Sequence, residues 1–452
     1  MKLLLLVVLG LLMQAAGEFA PPDVIGSGPA ATTLAFGFLL LSAVLAGSLC
    51  ARVGLPRLTG YLAAGVLSGP SLLGLVSSPM LGGLDIFRGM AAAFAAILAG
   101  SELSFAALRP GVRGVLARTI TAILLGAGAL FVTVYLGRPL VPGLPVLDGH
   151  TALALALMMA VALTASSPLT AVAMQDETAA DGPLVRTTVA AASLGSVVVV
   201  ALFAVAAAVA DGLIAGTGDA LKTGGLLGWT LIGSLVCGAG LGVAYAAYLR
   251  RLRTSAALFA AAAALVASEI GPRVHLDPLL LGLSAGVYVR NATTFGARLE
   301  AELRAAAQPV YITFFAVAGA TLYLPAHWTL GVAALALVVA RGAGVAIGWR
   351  LGGAFGGGGD VPAAVPARGA AGLLPQADFA LTLGAMAISL VPAGGALEIV
   401  LSTVAINALV APILLRACLA WSGEIGVATR AATARLEDED DDVEPDDLVE
   451  QP

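Results

Sequence analysis

The chain has 452 residues, of which 59% are hydrophobic and only 11% are charged, and its formal net charge is −5. About a quarter of the residues in an ordinary soluble domain are charged, so this composition excludes a protein that hides its apolar residues from water. Apolar runs of about 20 residues, the length that spans a bilayer as a helix, recur between Leu34 and Trp421. The alternating ten-residue segments of a transmembrane barrel are absent from the sequence. We therefore predict an all-α, polytopic membrane protein.

The first 17 residues have the pattern of a secretory signal peptide. A basic start at Lys2 precedes an apolar core from Leu3 to Met13 and a run of small residues that ends at Gly17. Cleavage near Gly17 is one interpretation of this pattern. The other is an uncleaved, extra N-terminal helix, so residues 1–17 are set apart from the transmembrane domain.

Hydropathy predicts about 13 membrane-spanning helices, which form one transmembrane domain over residues 31–421. With the N-terminus outside, the loops richest in arginine fall on the cytoplasmic side, as the positive-inside rule requires. This pattern predicts a multi-pass protein of the inner (plasma) membrane with a cytoplasmic C-terminus. The predicted spans lie near residues 31–51, 58–76, 87–108, 115–136, 150–174, 186–210, 225–248, 254–271, 277–290, 306–324, 328–350, 363–391 and 396–420.

Two matches at nearly the same offset indicate an internal repeat. The segment from Arg52 to Val66 aligns without gaps on the segment from Arg273 to Val287, and Ala99-Gly100 aligns on Ala318-Gly319. The offset covers seven predicted helices, and an odd number reverses the direction of the second copy across the membrane. We therefore predict inverted repeats, a symmetry of secondary transporters. Chance matches between segments of similar apolar composition are the alternative.

The fifth and twelfth spans contain helix-breaking residues at equivalent positions. Pro168 interrupts a stretch that includes Ser166, Ser167 and Thr170, and Gln376 follows a proline in the twelfth span. A single proline in a membrane helix usually produces only a bend. A symmetric pair of breaks instead predicts two crossed, broken helices. Their hydroxyls, amide and freed carbonyls supply the oxygen ligands that a monovalent cation prefers.

Charged side chains inside a predicted span are costly and are often functional. Asp378 lies within the twelfth span and Arg341 within the eleventh. We predict that Asp378 is the proton-coupling carboxylate and that Arg341 compensates its charge; a purely structural salt bridge between the two is the alternative. The sequence has no zinc spacing, catalytic triad or nucleotide-binding fingerprint. We therefore predict no metal site, no cofactor, no nucleic-acid partner and no enzymatic activity.

The last segment, residues 435–452, is dominated by acidic residues and has no apolar face to bury. Such a run of like charges favours disorder, so we predict an acidic, disordered cytoplasmic tail. Without this segment the net charge of the chain would be positive. The acidic balance therefore says nothing about the substrate of the transmembrane domain.

Several short motifs resemble the membrane domain of the cation:proton antiporter superfamily, which includes the sodium/proton exchangers and the Kef-type proteins. They are Gly54-Leu55-Pro56, the run from Gly60 to Gly65, the run from Ala99 to Leu103, and the run from Gly372 to Ala377. The resemblance extends from about Leu34 to Trp421. It implies two crossed, broken helices beside a dimerisation domain, a homodimer in the lipid bilayer, and exchange of a monovalent cation for protons.

The chain departs from this superfamily in the sixth span. Where members usually carry one or two aspartates that bind the cation or the protons, this chain has Gly195 and Ser196. A serine hydroxyl can ligate an ion weakly but does not take up a proton at physiological pH. The leading prediction is a Na⁺ or K⁺/proton antiporter in which Ser196 is a further candidate ligand. The alternative is a transport-inactive sensor or scaffold, or a passive ion pathway, on the same fold.

Overall fold

A computed structural model of the chain describes residues 1–19, 28–104, 112–140, 144, 147–214, 220–252, 255–322, 328–355, 365, 368–391 and 393–430. Within these residues all regular secondary structure is helical, which confirms the predicted all-α class. The predicted acidic tail, residues 435–452, lies outside the described residues. Residues 1–17 fall within a helix, and the choice between a signal peptide and an extra helix stays a prediction.

The first half of the molecule ends in a long helix that follows an interrupted one. Its helices are α1 (Lys2–Phe19), α2 (Pro29–Arg52), α3 (Arg57–Ser68), α4 (Ser78–Gly82), α5 (Asp85–Glu102), α6 (Val112–Gly137), α7 (Gly149–Thr164), α8 (Pro168–Thr178) and α9 (Pro183–Ile214).

A single long helix, α10 (Ala220–Leu252), leads into the second half, which again contains an interrupted helix before the last one. Here the element before the interruption is a 3-10 helix, Gly369–Leu373. The α-helices of this half are α11 (Ala256–Ile270), α12 (Pro278–Ala292), α13 (Gly296–Thr321), α14 (Trp328–Phe355), α15 (Asp378–Leu390) and α16 (Ala396–Ser422).

Each of the 13 predicted spans corresponds to helical structure, and eight helical segments among the described residues are long and apolar enough to cross a membrane. Two of the boundaries that differ from the prediction have a clear physical reason. The span at 58–76 is helical only to Ser68, because Gly69 caps it and Pro70 cannot continue a helix. The span at 306–324 begins at Gly296, because ion pairs stabilise a polar first turn that hydropathy does not detect.

The inverted repeat is visible in the closest helix contacts. Helix α3 packs on α13, and its repeat mate α12 packs on α5. Both contacts use glycines at matching positions: a Cβ at Gly65 would lie 2.2 Å from the Ala316 oxygen, and one at Gly286 would lie 2.1 Å from the Ile97 oxygen. Small residues at such positions let membrane helices approach closely. The predicted repeat therefore appears as two equivalent helix–helix contacts between the halves.

The centre of the bundle is the interrupted helix formed by α7 and α8. Within Gly149–Thr178, 83% of the most apolar stretch of 18 residues is buried, against 33% of the corresponding stretch in α2. A helix that is apolar on all sides belongs in the interior, and α7 is apolar from Ala152 to Leu163. Neighbouring helices surround it, with α6, α9 and α15 in contact. The first predicted break therefore lies in the protein interior and away from lipid.

Candidate functional site: a crossing of two interrupted helices

Both predicted breaks are true interruptions, and they meet. Helix α7 ends at Thr164 and α8 begins at Pro168, while the 3-10 helix ends at Leu373 and α15 begins at Asp378. The Ser167 N–H donates a hydrogen bond of 2.8 Å to the Pro375 oxygen. This bond joins one extended segment to the other, so the predicted pair of crossed, broken helices is confirmed. We call residues 163–167 and 373–377 together the crossing.

Arg341 of α14 binds both halves of the crossing. Its side chain is buried, with 1% of its surface exposed. The guanidinium donates to the oxygens of Leu373 and Leu374, at 2.7 Å each, and to the oxygens of Ala165, at 3.2 Å, and Thr164, at 3.4 Å. These are carbonyls at the C-terminal ends of two short helices, where the helix dipole places partial negative charge. One cation therefore caps two helix ends at once.

Gln376 is held across the crossing by its amide. Its Nε2 donates to the Leu163 oxygen, the last turn of α7. Its Oε1 accepts from Nδ2 of Asn407 at 3.1 Å, and the same Nδ2 donates to the Leu374 oxygen. Asn407 lies in α16 and was not predicted from the sequence. The available signal was an amide in the middle of an apolar span, which no pattern connected to Gln376.

The predicted hydroxyl ligands lie in the same buried region. Ser167 is the N-cap of α8 and accepts from the Thr170 N–H at 3.3 Å and from the Thr170 hydroxyl at 3.0 Å. Ser166 and Ser196 both point to one carbonyl of α9, the Ala192 oxygen, at 3.5 and 3.1 Å. All four side chains are buried. The structure therefore brings these residues together from α8, α9 and the first break.

A small cavity lies beside the crossing, with a volume of about 40 Å³. Two serines, Ser167 and Ser196, contribute polar side chains to its wall, and the remaining walls are largely apolar. Its other lining residues are Ala92, Ala96, Pro168, Leu169, Leu279, Leu280, Leu283, Phe314, Ala377 and Phe379. Ser196 thus occupies a cavity position at the place where the superfamily usually carries an acid.

Two further predicted features differ in what the structure says of them. A Cβ at Gly195 would lie 3.3 Å from the Ser166 Oγ, so this position faces the crossing directly. Asp378 is the first residue of α15, but its side chain lies outside the described part of the structure. Among the described side chains, no carboxylate pairs with Arg341. The coupling role of Asp378 stays a prediction.

A second polar region lies at the far end of α8, where a network of ion pairs surrounds Arg304 of α13. Arg304 contacts Glu102 of α5 at 2.6 Å, Asp176 of α8 at 2.5 Å and Glu300 at 3.2 Å. The Tyr311 hydroxyl donates to Asp176 at 2.8 Å. We call the network the ionic cluster; its members are Glu102, Asp176, Arg290, Glu300, Arg304 and Tyr311.

Two cavities of about 460 and 480 Å³ flank the ionic cluster, and Arg304 lines both. The ionic cluster was not predicted from the sequence. The pairing of Asp176 with Arg304 joins residues 128 positions apart, and no local pattern signals such a contact. The cavities give water and ions a polar approach toward the buried end of α8.

A membrane bundle of inverted repeats that brings two interrupted helices together has the architecture of a secondary transporter. The sequence profile of the family described as "Sodium/hydrogen exchanger, transmembrane" matches residues 39–421. The chain therefore belongs to the sodium/hydrogen exchanger family, within the cation:proton antiporter superfamily that its motifs resemble. This family consists of transporters.

Solved structures agree with this fold. The sodium proton antiporter MjNhaP1 from Methanocaldococcus jannaschii at pH 8 superimposes with a TM-score of 0.61 at 15% identity, covering 87% of this chain and 97% of that chain. A second structure of the same antiporter, from an electron microscopy map, gives a TM-score of 0.57 at 16% identity, covering 88% and 97%. No curated protein sequence matches the chain.

Proposed function

We propose that this protein exchanges a monovalent cation, Na⁺ or K⁺, for protons across the membrane, and that the cation binds at the crossing. The observation that supports this proposal most directly is the capping of both interrupted helices by Arg341. Capping stabilises the broken ends and leaves the side-chain oxygens beside them to ligate an ion. Transporters of the inverted-repeat class bind their ions at such broken helices.

The size of the cavity favours an ion over an organic substrate. Pockets for small organic molecules usually have volumes of about 300 Å³ or more, whereas the cavity at the crossing has about 40 Å³. A single water needs roughly 10 to 15 Å³ by the same measure. The cavity therefore has room for one ion with few waters. Candidate ligands are the oxygens of Ser166, Ser167, Thr170, Ser196 and Gln376.

We assign proton coupling to Asp378 and charge compensation to Arg341. The α9 positions that carry acids in the superfamily are Gly195 and Ser196 in this chain. Asp378 is an ionisable residue at the start of α15, one residue beyond the crossing. A carboxyl at this place in the chain is suited to release a proton when a cation enters nearby. Competition between cation and proton then gives exchange.

The experiment is a pH-dye assay in proteoliposomes, with Na⁺ or K⁺ added after an acid-inside gradient is formed. We expect the wild type to dissipate the gradient and Asp378→Asn to lose the response. The matched control is Glu398→Gln, the same chemical change at an exposed acid in the first turn of α16; its activity should equal that of the wild type. A wild type that gives no response between pH 6 and pH 9 contradicts the proposal.

A second candidate function has one observation in its favour. Gly195 and Ser196 stand where the superfamily usually carries aspartates, so α9 lacks a carboxylate at these two positions. A transport-inactive sensor or scaffold, or a passive ion pathway, is therefore the alternative. Cation flux that persists in Asp378→Asn without proton movement would identify a passive pathway.

We further propose a homodimer in the inner (plasma) membrane, with the N-terminus outside and the C-terminus in the cytoplasm. The arginine-rich loops support the orientation, and the family resemblance supports the dimer. Protease access to a C-terminal tag in inverted vesicles, but not in intact cells, checks the orientation. Cross-linking in the membrane to twice the mass of 44.8 kDa checks the dimer.

A further inference from the structure

Asn407 is a buried amide in the last long helix, and it bonds outside its own helix. It has 4% of its surface exposed. The nearby polar residues of α16 behave differently: the Ser402 hydroxyl donates to Glu398 and the Thr403 hydroxyl to Ile399, both within the helix. Asn407 instead donates to the Leu374 oxygen and to Oε1 of Gln376. The fold therefore directs one amide of α16 at the second break.

The two acceptors that Asn407 binds differ in whether they have another donor. The Leu374 oxygen also accepts from Arg341 at 2.7 Å, so it keeps a donor when Asn407 is changed. Oε1 of Gln376 has Asn407 as its donor among the described residues. A change at Asn407 therefore acts mainly on Gln376. It leaves the capping of the helix ends by Arg341 in place.

Gln376 transmits this contact to the first break. With Oε1 turned to Asn407, Nε2 of the same amide is turned to the Leu163 oxygen at the end of α7. The amide oxygen has two lone pairs and can accept from Asn407 while it still faces an ion. Without the donor at Asn407, the amide keeps, among the described contacts, only its bond to the Leu163 oxygen. Its oxygen then loses a fixed direction relative to both breaks.

We infer that Asn407 is a positioning residue for cation binding, which fixes the orientation of the Gln376 amide at the crossing. The inference rests on the proposed function, because Gln376 is one of the candidate ligands there. It adds a residue of α16 to the binding apparatus, although Asn407 itself does not need to touch the ion. Its contribution should appear in the affinity for the cation more than in the maximal rate.

The test uses Asn407→Leu, which approximately keeps the size of the side chain and removes its Nδ2 donor without adding a charge beside Arg341. Loss of a buried hydrogen bond of this kind corresponds to roughly a 5- to 100-fold change in an equilibrium constant. We therefore expect the apparent KM for Na⁺ or K⁺ to rise at least about 5-fold in proteoliposomes, with a maximal rate within about 2-fold of the wild type. The matched control, Thr403→Val, removes a buried hydroxyl from the same helix and should leave KM unchanged.

A double-mutant comparison separates positioning from a general structural role. In a Gln376→Met background, Asn407→Leu should have no further effect on KM, because its target is already gone. An equal rise of KM in both backgrounds would show that Asn407 does not act through Gln376, and would overturn the inference. An unchanged KM in Asn407→Leu alone would overturn it as well.

A binding measurement distinguishes failure of this inference from failure of the proposed function. Thermal unfolding of the purified protein is followed with NaCl or KCl, and with choline chloride as the reference salt. A wild type with neither a cation-specific Tm shift nor transport removes the proposed function, and the inference falls with it. A wild type that shifts, together with Asn407→Leu that shifts at the same cation concentration, contradicts the inference alone. A shift that requires a higher concentration in Asn407→Leu supports it.

Discussion

The crossing and the ionic cluster lie at the two ends of the same short helix, α8, and are stabilised by different kinds of contact. At the crossing, Arg341 and Gln376 bind backbone carbonyls, and the donors are one guanidinium and two amides. At the ionic cluster, Arg304 pairs with carboxylates from α5, α8 and α13. Carbonyl partners are fixed by the backbone, whereas carboxylates can exchange partners, bind water or take up protons. The first region is therefore suited to hold a geometry and the second to change it.

Helix α8 connects the two regions. It has 11 residues from Pro168 to Thr178, and at 1.5 Å per residue it is about 16 Å long. Ser167 caps its first turn at the crossing, and Asp176 lies in its last turn at the ionic cluster. Because α8 is short, a displacement of its first turn at the crossing also moves its last turn at the ionic cluster. The comparison predicts that substitutions at the two ends differ in salt dependence.

The largest effect is expected for Arg341→Met. The substitution removes a donor from four carbonyls in a site that is 1% exposed, and only the Leu374 oxygen keeps another donor, Asn407, among the described contacts. Buried acceptors without a partner cost on the order of 1 to 3 kcal/mol each. We expect a loss of several degrees in Tm and no transport. The Tm loss should be the same in low and high salt, because no surface charge is involved.

Arg341→Lys is the control for charge. A lysine keeps the positive charge but presents a single ammonium rather than a planar fork, so it can reach one helix end and not both. It should restore part of the stability and little of the transport. Full transport by Arg341→Met would contradict the proposed role of the caps.

A smaller effect, which depends on salt, is expected for Arg304→Gln. The side chain of Arg304 is 33% exposed, so screening by solvent reduces its contribution to about 1 kcal/mol. Its removal leaves Glu102, Asp176 and Glu300 facing one another with a single arginine, Arg290. We expect a modest fall in Tm that becomes smaller at high salt.

The double variant Glu102→Gln/Arg304→Gln removes one charge of each sign and should regain part of the lost stability. Measurement of Tm at about 0.05 and 0.5 M choline chloride, where the Debye length falls from about 14 to about 4 Å, gives the test without changing the concentration of the transported cation. If Arg304→Gln were as insensitive to salt as Arg341→Met, the distinction between the two regions would be wrong.

The crossing is far easier to predict from the sequence than the ionic cluster. Proline and glycine act on the residues beside them, so the interruptions at Pro168 and Pro375 follow from local chemistry, and the repeat relates one to the other. The close approach at Gly65 and Gly286 likewise follows the aligned copies. The overall helix plan is predictable because apolar length is a local property.

Contacts between distant segments were not predictable. Asn407 is 31 positions from Gln376, and Arg304 is 202 positions from Glu102. Neither pair has a spacing that a periodic pattern detects, and a polar residue in an apolar span gives no information about the element it faces. The carbonyl partners of Arg341 were also missed, because sequence reasoning looked for a carboxylate. Backbone carbonyls at the ends of broken helices can also accept from a buried arginine, and a sequence does not show where these carbonyls lie.

The smallest effect is expected for the cap of α8, and it tests whether this cap contributes to cation binding. Ser167→Ala removes the oxygen that accepts from the Thr170 N–H at 3.3 Å, a loss of about 1 kcal/mol. Ser255→Ala is a matched control, because Ser255 caps α11 with the same distance, 3.3 Å, to the Leu258 N–H. Both variants should lower Tm by a similar, small amount, yet only Ser167→Ala should raise the apparent KM for the cation. Equal KM values for the two variants would mean that the cap of α8 serves stability alone, because the first turn of α8 would then have no part in holding the ion.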